Sequence, residues 1–177
     1  MSNLRPFIHP VPIVVIGVNC GITENKANFT TVGDIAIAGL QPPLLMLSLH
    51  ERHLSRETID KTAELTVHVP EIRFLEKVDY CGVVSGHETD KSGVFSHIWH
   101  GNLPVIEEMP INLLCKVRSR VQIEKRVIYV IEVTEQIFRS DFTPRDFSEL
   151  KTILYGLDNR YYQVGEPAEN GYFTAKK

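Results

Sequence analysis

Residues 111–138, INLLCKVRSRVQIEKRVIYVIEVTEQIF, decide the fold of this chain. Two runs within it, 111–121 and 127–138, read as long strands. Val117, Ile128, Val130, Ile131 and Val133 all favour a pleated surface. Glu124-Lys125-Arg126 between the runs reads as a hairpin turn. Outward from this pair, residues 11–18 (VPIVVIGV) form a near-continuous apolar strand, closed by the turn-like Asn19-Cys20-Gly21. Residues 44–49 (LLMLSL) follow Gln41-Pro42-Pro43, where a helix is disfavoured. Residues 65–69 (LTVHV) alternate and stop at Pro70, and a short strand over 161–164 precedes Gly165.

Helical signals are fewer. Residues 55–64 (SRETIDKTAE) offer Ser55 as a hydroxyl cap followed by good helix formers. Residues 72–81 place Ile72, Leu75 and Val78 on one face. The pattern predicts a mainly β fold, a closed or partly closed antiparallel barrel with a few helices packed outside. Strand and helix alternate too irregularly for a Rossmann-type sheet, and neither GxGxxG nor a P-loop occurs. One domain over 1–177 is expected, with its core at about 11–165 and a C-terminal tail at 166–177.

Composition excludes several functions. Apolar residues make up 43% and charged ones 23%, which is ordinary for a soluble globular chain. The net charge of −3 supplies no electrostatic footprint for nucleic acid. The apolar run at 13–18 is too short to span a membrane and lacks the pattern of a secretory signal. Cys20, Cys81 and Cys115 are scattered and odd in number, so a disulfide framework is not expected and the cytoplasm is the natural compartment.

Three segments carry candidate chemistry. Residues 79–91, DYCGVVSGHETDK, form a turn-rich loop in which Gly82 and Gly86 permit a close backbone approach. Ser85 brings a hydroxyl there and Lys91 a mobile cation. Residues 50–58, HERHLSRET, stand where a strand hands over to a helix, whose unpaired N–H groups favour an anion. Arg52 or Arg56 can fork onto phosphate oxygens, and Ser55 or Thr58 can add hydrogen bonds. The plainer reading is a Ser55 cap on a solvated first turn. Residues 25–33 hold Asn25, Ala27, Asn28, Phe29, Thr30 and Thr31, whose amides and backbone suit the edge of a flat heterocycle. The plainer reading there is a strand with Thr and Asn turned to solvent. A phosphate site, a ring edge and a lysine together suit a phosphorylated flavin.

Other residues read as structural. Trp99, flanked by His97 and His100, suits half-buried packing better than a substrate wall. Nothing completes a metal site around the two histidines. Cys81 reads as a buried structural cysteine rather than a redox thiol, and Glu107-Glu108 as solvated. The aromatic residues late in the chain, Phe138, Phe142, Phe147, Tyr155, Tyr161 and Tyr162, suit packing or an interface.

With these residues in view, the chain resembles the flavin reductase-like family of FMN-binding, Greek-key split β-barrels, and within it the flavoredoxin-type branch, from about residue 11 to 165. The markers are Pro12 and its strand, Asn25-Lys26-Ala27-Asn28-Phe29-Thr30-Thr31 with Gly33, and Pro42-Pro43. Ser55 with Ile59, Asp79-Tyr80-Cys81-Gly82, Ser85-Gly86 and Asp90-Lys91 continue the series. Pro104-Val105-Ile106-Glu107-Glu108, Cys115-Lys116-Val117, Tyr155, Tyr161 and Gly165 complete it. The resemblance implies a homodimer with non-covalent FMN near the subunit interface and NAD(P)H as electron donor. Electrons would pass to free flavin, a redox protein partner or another acceptor. A flavoredoxin-like electron carrier, or a barrel that has lost flavin and serves as a binding module, are the alternatives. By resemblance, Ala27, Asn28, Phe29, Thr30 and Thr31 run along the ring, while Arg52, His53, Ser55 and Thr58 hold the phosphate. Lys91 comes from a loop closing over the flavin, and Tyr155 or the Tyr161-Tyr162 pair packs nearby, from this chain or its partner. Arg52, His53 and Arg56 stay open as the phosphate ligand.

Overall fold

Residues 11–18 do not form one strand. They divide at Ile13 into β1 (Val11–Pro12) and β2 (Val14–Asn19), which join different sheets. The computed structural model describes residues 8–143, 149–156 and 158–166. Residues 167–177 of the expected tail and Phe147 lie outside them. The order continues with β3 (Ala27–Val32), β4 (Ile35–Leu40), β5 (Pro43–His50), α1 (Leu54–Thr62) and β6 (Glu64–Val69). A 3₁₀ turn (Ile72–Phe74) leads into α2 (Leu75–Val83), then come β7 (Ile98–His100) and β8 (Leu103–Val105). The long pair is β9 (Ile111–Ile123) and β10 (Arg126–Phe138), followed by β11 (Ile153–Tyr155) and β12 (Tyr161–Gln163).

Seven strands form one antiparallel sheet in the order β3-β2-β6-β9-β10-β5-β4. Strand β6 is inserted between the β2–β3 and β9–β10 hairpins, which gives the Greek-key connection of a split barrel. The β9–β10 turn is Glu124-Lys125, with Glu124 at φ 51°, and Arg126 already belongs to the strand. Strands β4, β7, β8 and β11 carry weak sequence signals. Strand β4, IAIAGL, is mostly exposed and looks like a loop-side segment until β5 pairs with it.

Strand β2 is buried on both faces, which is why its apolar run is unbroken. Val14, Ile16 and Val18 join Val32, Leu47, Leu49, Leu65, Val67, Val127, Tyr129 and Ile131 in the barrel interior. Ile59 of α1 closes that cluster, so the helix packs against the barrel through one residue of its apolar stripe. Ile13 and Val15 face a second cluster with Ala27, Phe29, Val78, Cys81, Phe95 and Met109, beneath α2. Gly17 lies where β2 meets β6 too closely for a side chain: a Cβ there would stand 2.5 Å from Thr66 Oγ1. Strands β1, β11 and β12 form a small separate sheet that ties the two ends of the described chain together. Among the described residues, no helix is long and apolar enough to cross a membrane.

Candidate functional site

The start of α1 is built differently from the expected serine cap. His53 is the N-cap residue, with φ −77°, ψ 130° and no side-chain capping bond. Its carbonyl accepts from the Arg56 and Glu57 amides, so the Leu54 and Ser55 N–H groups are left without intrahelical acceptors. Ser55 is fully buried within the first turn. Its hydroxyl accepts from Asn28 Nδ2 at 2.9 Å and lies 2.7 Å from Thr30 Oγ1. Thr58 donates to Leu54 O at 3.1 Å and turns into the protein. Arg56 is folded back, with Nε and Nη2 on Glu51 O and Nη1 on Asp60. Arg52 is exposed, and its guanidinium has no ion-pair partner among the described residues.

Strand β3 presents its two faces to the two helices. Asn28 and Thr30 face α1, while Ala27 and Phe29 enter the cluster beneath α2. Thr31 Oγ1 donates to Val78 O of α2. Asn28 and Thr30 are therefore buried rather than solvated, which replaces the plainer sequence reading. The Cys20 N–H bonds Lys26 O across the β2–β3 pair. Alternation along an antiparallel ladder then turns the backbone groups of Ala27, Phe29 and Thr31 away from β2. They face the open side of β3, which ends the sheet.

Between these elements lies a cleft of about 300 Å³. One wall is Arg52, His53 and Leu54; the other is residues 81–86 at the end of α2; Thr30, Glu88 and Lys91 complete it. Gly82 and Gly86 do approach something closely, but it is strand β3. A Cβ at 82 would stand 3.3 Å from Thr31 Cβ, and one at 86 would stand 2.5 Å from Asn28 Oδ1.

Lys91 is buried and hydrogen-bonded rather than a cation extended from a solvated loop. It is 3% exposed, and Nζ donates to the carbonyls of Cys81 (3.3 Å) and Val84 (3.2 Å). It has no carboxylate partner among the described residues, and burial lowers its pKa. The neighbouring Asp90 points elsewhere, pairing with Lys26 at 3.1 Å and accepting from the Ser92 amide at 2.9 Å. His53 Nδ1 is buried without a hydrogen-bond partner. Burial first, and then the charges of His50, Arg126 and Lys91, hold its pKa below the usual value. The Cys81 thiol is pushed up to about 11 by burial, which keeps it protonated and unreactive.

The structure thus brings Thr30, Arg52, His53 and Lys91 to one cleft and leaves Arg56 and Thr58 outside it. Tyr155 stands on the small sheet, with its hydroxyl on Asn159 (2.8 Å) and its ring 5.0 Å from that of Tyr161. It does not reach the cleft within this chain. Tyr161 donates to Asp79, and Tyr162 to Asp158. Trp99 packs half-buried against His97 on the second cluster. The cleft wall at 83–84 and the capping role of His53 escape sequence reasoning. The 28/30 alternation against Phe29 was the one signal pointing to the buried Asn28–Ser55–Thr30 network.

The flavin reductase-like domain family matches residues 5–165. The chain belongs to that family, which places it among flavin-related redox proteins, oxidoreductases and electron carriers alike. No curated protein is detectably similar in sequence. Among solved structures it is similar to flavoredoxin from Methanosarcina acetivorans, at 28% identity and a TM-score of 0.89, over 99% of this chain and 96% of that one. Flavoredoxin of Desulfovibrio vulgaris (Miyazaki F) follows at 20% identity and 0.83, covering 99% and 98%. An FMN-binding protein from Thermus thermophilus, solved with 1-cyclohex-2-enone, is 19% identical with a TM-score of 0.83, covering 97% of each chain. The last two establish the shared fold.

A phosphorylated flavin fits the residues present. A buried ammonium without a carboxylate calls for an anionic or acceptor-rich ligand, and a buried imidazole nitrogen without a partner calls for a further hydrogen bond.

Proposed function

We propose that this chain binds FMN and acts as an FMN-dependent oxidoreductase, taking electrons from NAD(P)H and passing them to free flavin or another acceptor. The observation that carries the reading is the cleft at the start of α1, which joins Arg52 and His53 to a buried, uncompensated Lys91 beside the open edge of β3. Bound FMN supplies reversible hydride and electron chemistry. The protein's part is to hold the phosphate, to offer backbone groups of Ala27, Phe29 and Thr31 along the ring edge, and to keep water from it.

A homodimer belongs to this reading. Ile37 and Leu40 on β4, Met46 on β5, and Val121 and Ile123 on β9 are exposed large apolar side chains on strands of the β9-β10-β5-β4 half of the sheet. A second copy is the occupant that would cover them. A flavoredoxin-like electron carrier is the second reading, favoured by the likeness to the Methanosarcina flavoredoxin.

The test is an absorption spectrum of the purified protein before and after FMN addition and gel filtration, followed by anaerobic NADH. Retained flavin bands that bleach support the oxidoreductase. Retained bands that persist support the carrier, and no retained flavin removes both.

A further inference from the structure

We propose that strand β4 is a dimer seam. In it, β4 of one protomer pairs antiparallel with β4 of a second copy about a two-fold axis at Ala36, so that two seven-stranded sheets run on as one. This rests on the homodimer in the proposed function and goes beyond it by fixing the strand, the register and the hydrogen bonds.

The main sheet ends at β3 and at β4. Gly82 and Gly86 lie against Thr31 and Asn28 of β3. Among the described residues, no strand pairs with the outer side of β4. Sheet edges are ordinarily guarded by lysine, proline or a bulge, because their free N–H and C=O groups invite another strand. Strand β4, IAIAGL, carries neither a charge nor a proline. Its one irregularity falls between Ile37 and Gly39, which leaves residues 35–37 regular.

The backbone of that regular segment is self-complementary. The Ser48 N–H donates to Asp34 O at 2.9 Å, and Ala36 stands opposite Met46 further along the same ladder. Alternation in an antiparallel pair then points the N–H and C=O of Ala36 at β5 and those of Ile35 and Ile37 outward. A copy set antiparallel with Ala36 on the axis brings Ile35 opposite the partner's Ile37, and Ile37 opposite the partner's Ile35. Every outward donor then meets an outward acceptor. Moving the axis to Ile35 or Ile37 opposes Ile37 to Gly33 or Ile35 to Gly39, outside the regular segment, and loses part of the match.

Side chains agree with this register. Ile131, Leu45 and Ile37 form one cross-strand row, fully buried at Ile131 and 71% exposed at Ile37. The neighbouring row is Tyr129, Leu47 and Ile35, and Ile35 packs on the barrel core. With Ala36 on the axis, the exposed Ile37 meets the partner's Ile35, and the apolar interior of one barrel continues into the other. The axis falls on a non-hydrogen-bonded pair, where facing side chains stand closest, and alanine fits there. No like charges face each other across the seam, since β4 has none. The adjoining Asp34 is paired with Arg126.

Sedimentation equilibrium of the purified full chain, with thiol cross-linking in a Cys20→Ser background, tests the seam; the remaining cysteines, Cys81 and Cys115, are buried. Ala36→Cys is expected to give a covalent dimer on mild oxidation, because the pair on the axis holds its Cα atoms about 4.5 Å apart. Ile37→Cys faces Ile35 rather than its own copy and should stay uncross-linked. Ile37→Pro removes an N–H that points away from β5, so it breaks no bond within the protomer. It is expected to raise the dimer dissociation constant about tenfold or more. A dimeric wild type that cross-links at 36 and not at 37 upholds the seam, even should Ile37→Pro fold poorly. A dimer that cross-links at 37 or at neither position, or that a folded Ile37→Pro leaves unchanged, keeps the homodimer and overturns the seam. A monomeric wild type removes both and leaves the edge of β4 to an extended segment of another protein.

Discussion

Gly86 lies against Asn28 so closely that a Cβ at position 86 would stand 2.5 Å from the Asn28 side-chain oxygen. The Asn28 amide cannot easily swing away, because Nδ2 donates to Ser55. Gly86→Ala therefore has to displace the cleft wall, the Asn28 network or both. We expect a loss of about 1–3 kcal/mol, the usual cost of overpacking, measured by urea unfolding, with weaker FMN binding. An unchanged midpoint would mean that Asn28 repacks freely.

Ser55→Ala is expected to act through the core rather than through a lost helix cap. It strips a partner from Asn28 Nδ2 and from Thr30 Oγ1, both buried. The cost should be roughly 1–3 kcal/mol. A double-mutant cycle with Asn28→Ala should show coupling of more than about 0.5 kcal/mol, and strict additivity would separate the two residues.

Arg52 and Arg56 should separate by phenotype. Arg56 is committed to Glu51 O and Asp60, so Arg56→Met should cost stability of up to about 1 kcal/mol and leave FMN affinity within twofold. Arg52→Ala should leave the urea midpoint unchanged and weaken FMN. The reverse pattern would reassign the phosphate ligand to Arg56.

His68 sets an acid limit on the fold. It is fully buried between Asn112 Oδ1 (2.7 Å) and Thr66 Oγ1 (2.9 Å), and burial holds its pKa at about 4. Its unfolded value is near 6.5. Between these two values the unfolded chain binds a proton that the native chain does not. Stability should therefore fall as pH drops from about 6.5 to 4, by up to roughly 3 kcal/mol, with no such slope above pH 7. In His68→Gln the protein should be less stable at pH 7, with a shallower acid slope measured by denaturant titration. An identical slope would assign the acid sensitivity to another group.

Much of the fold is legible in local residue patterns. The β-branched runs of β9 and β10, the continuous burial of β2 and the alternation of β6 each follow from side-chain type, and their order implies the barrel. Strand β4 is not legible, because most of its residues are exposed and only pairing with β5 makes it a strand. The start of α1 misleads for a related reason. Ser55 has the chemistry of a cap, but the helix starts two residues earlier than that role needs, with His53 as the cap, and tertiary packing draws the Ser55 hydroxyl toward β3.

The amino-acid sequence by itself determined the strand-rich barrel, its family and the cluster of cationic and hydroxyl residues around α1. These depend on propensity and order along the chain. Only the tertiary structure decided which of those residues share a cleft. Arg52 and Arg56 are equivalent in sequence, yet one is free and the other folded onto Glu51 and Asp60. Lys91 looks like a loop lysine until residues 81–86 close over it and leave its charge without a carboxylate. Burial and partner geometry are properties of segments far apart in the chain, and those are settled only when β3, α1 and the end of α2 meet.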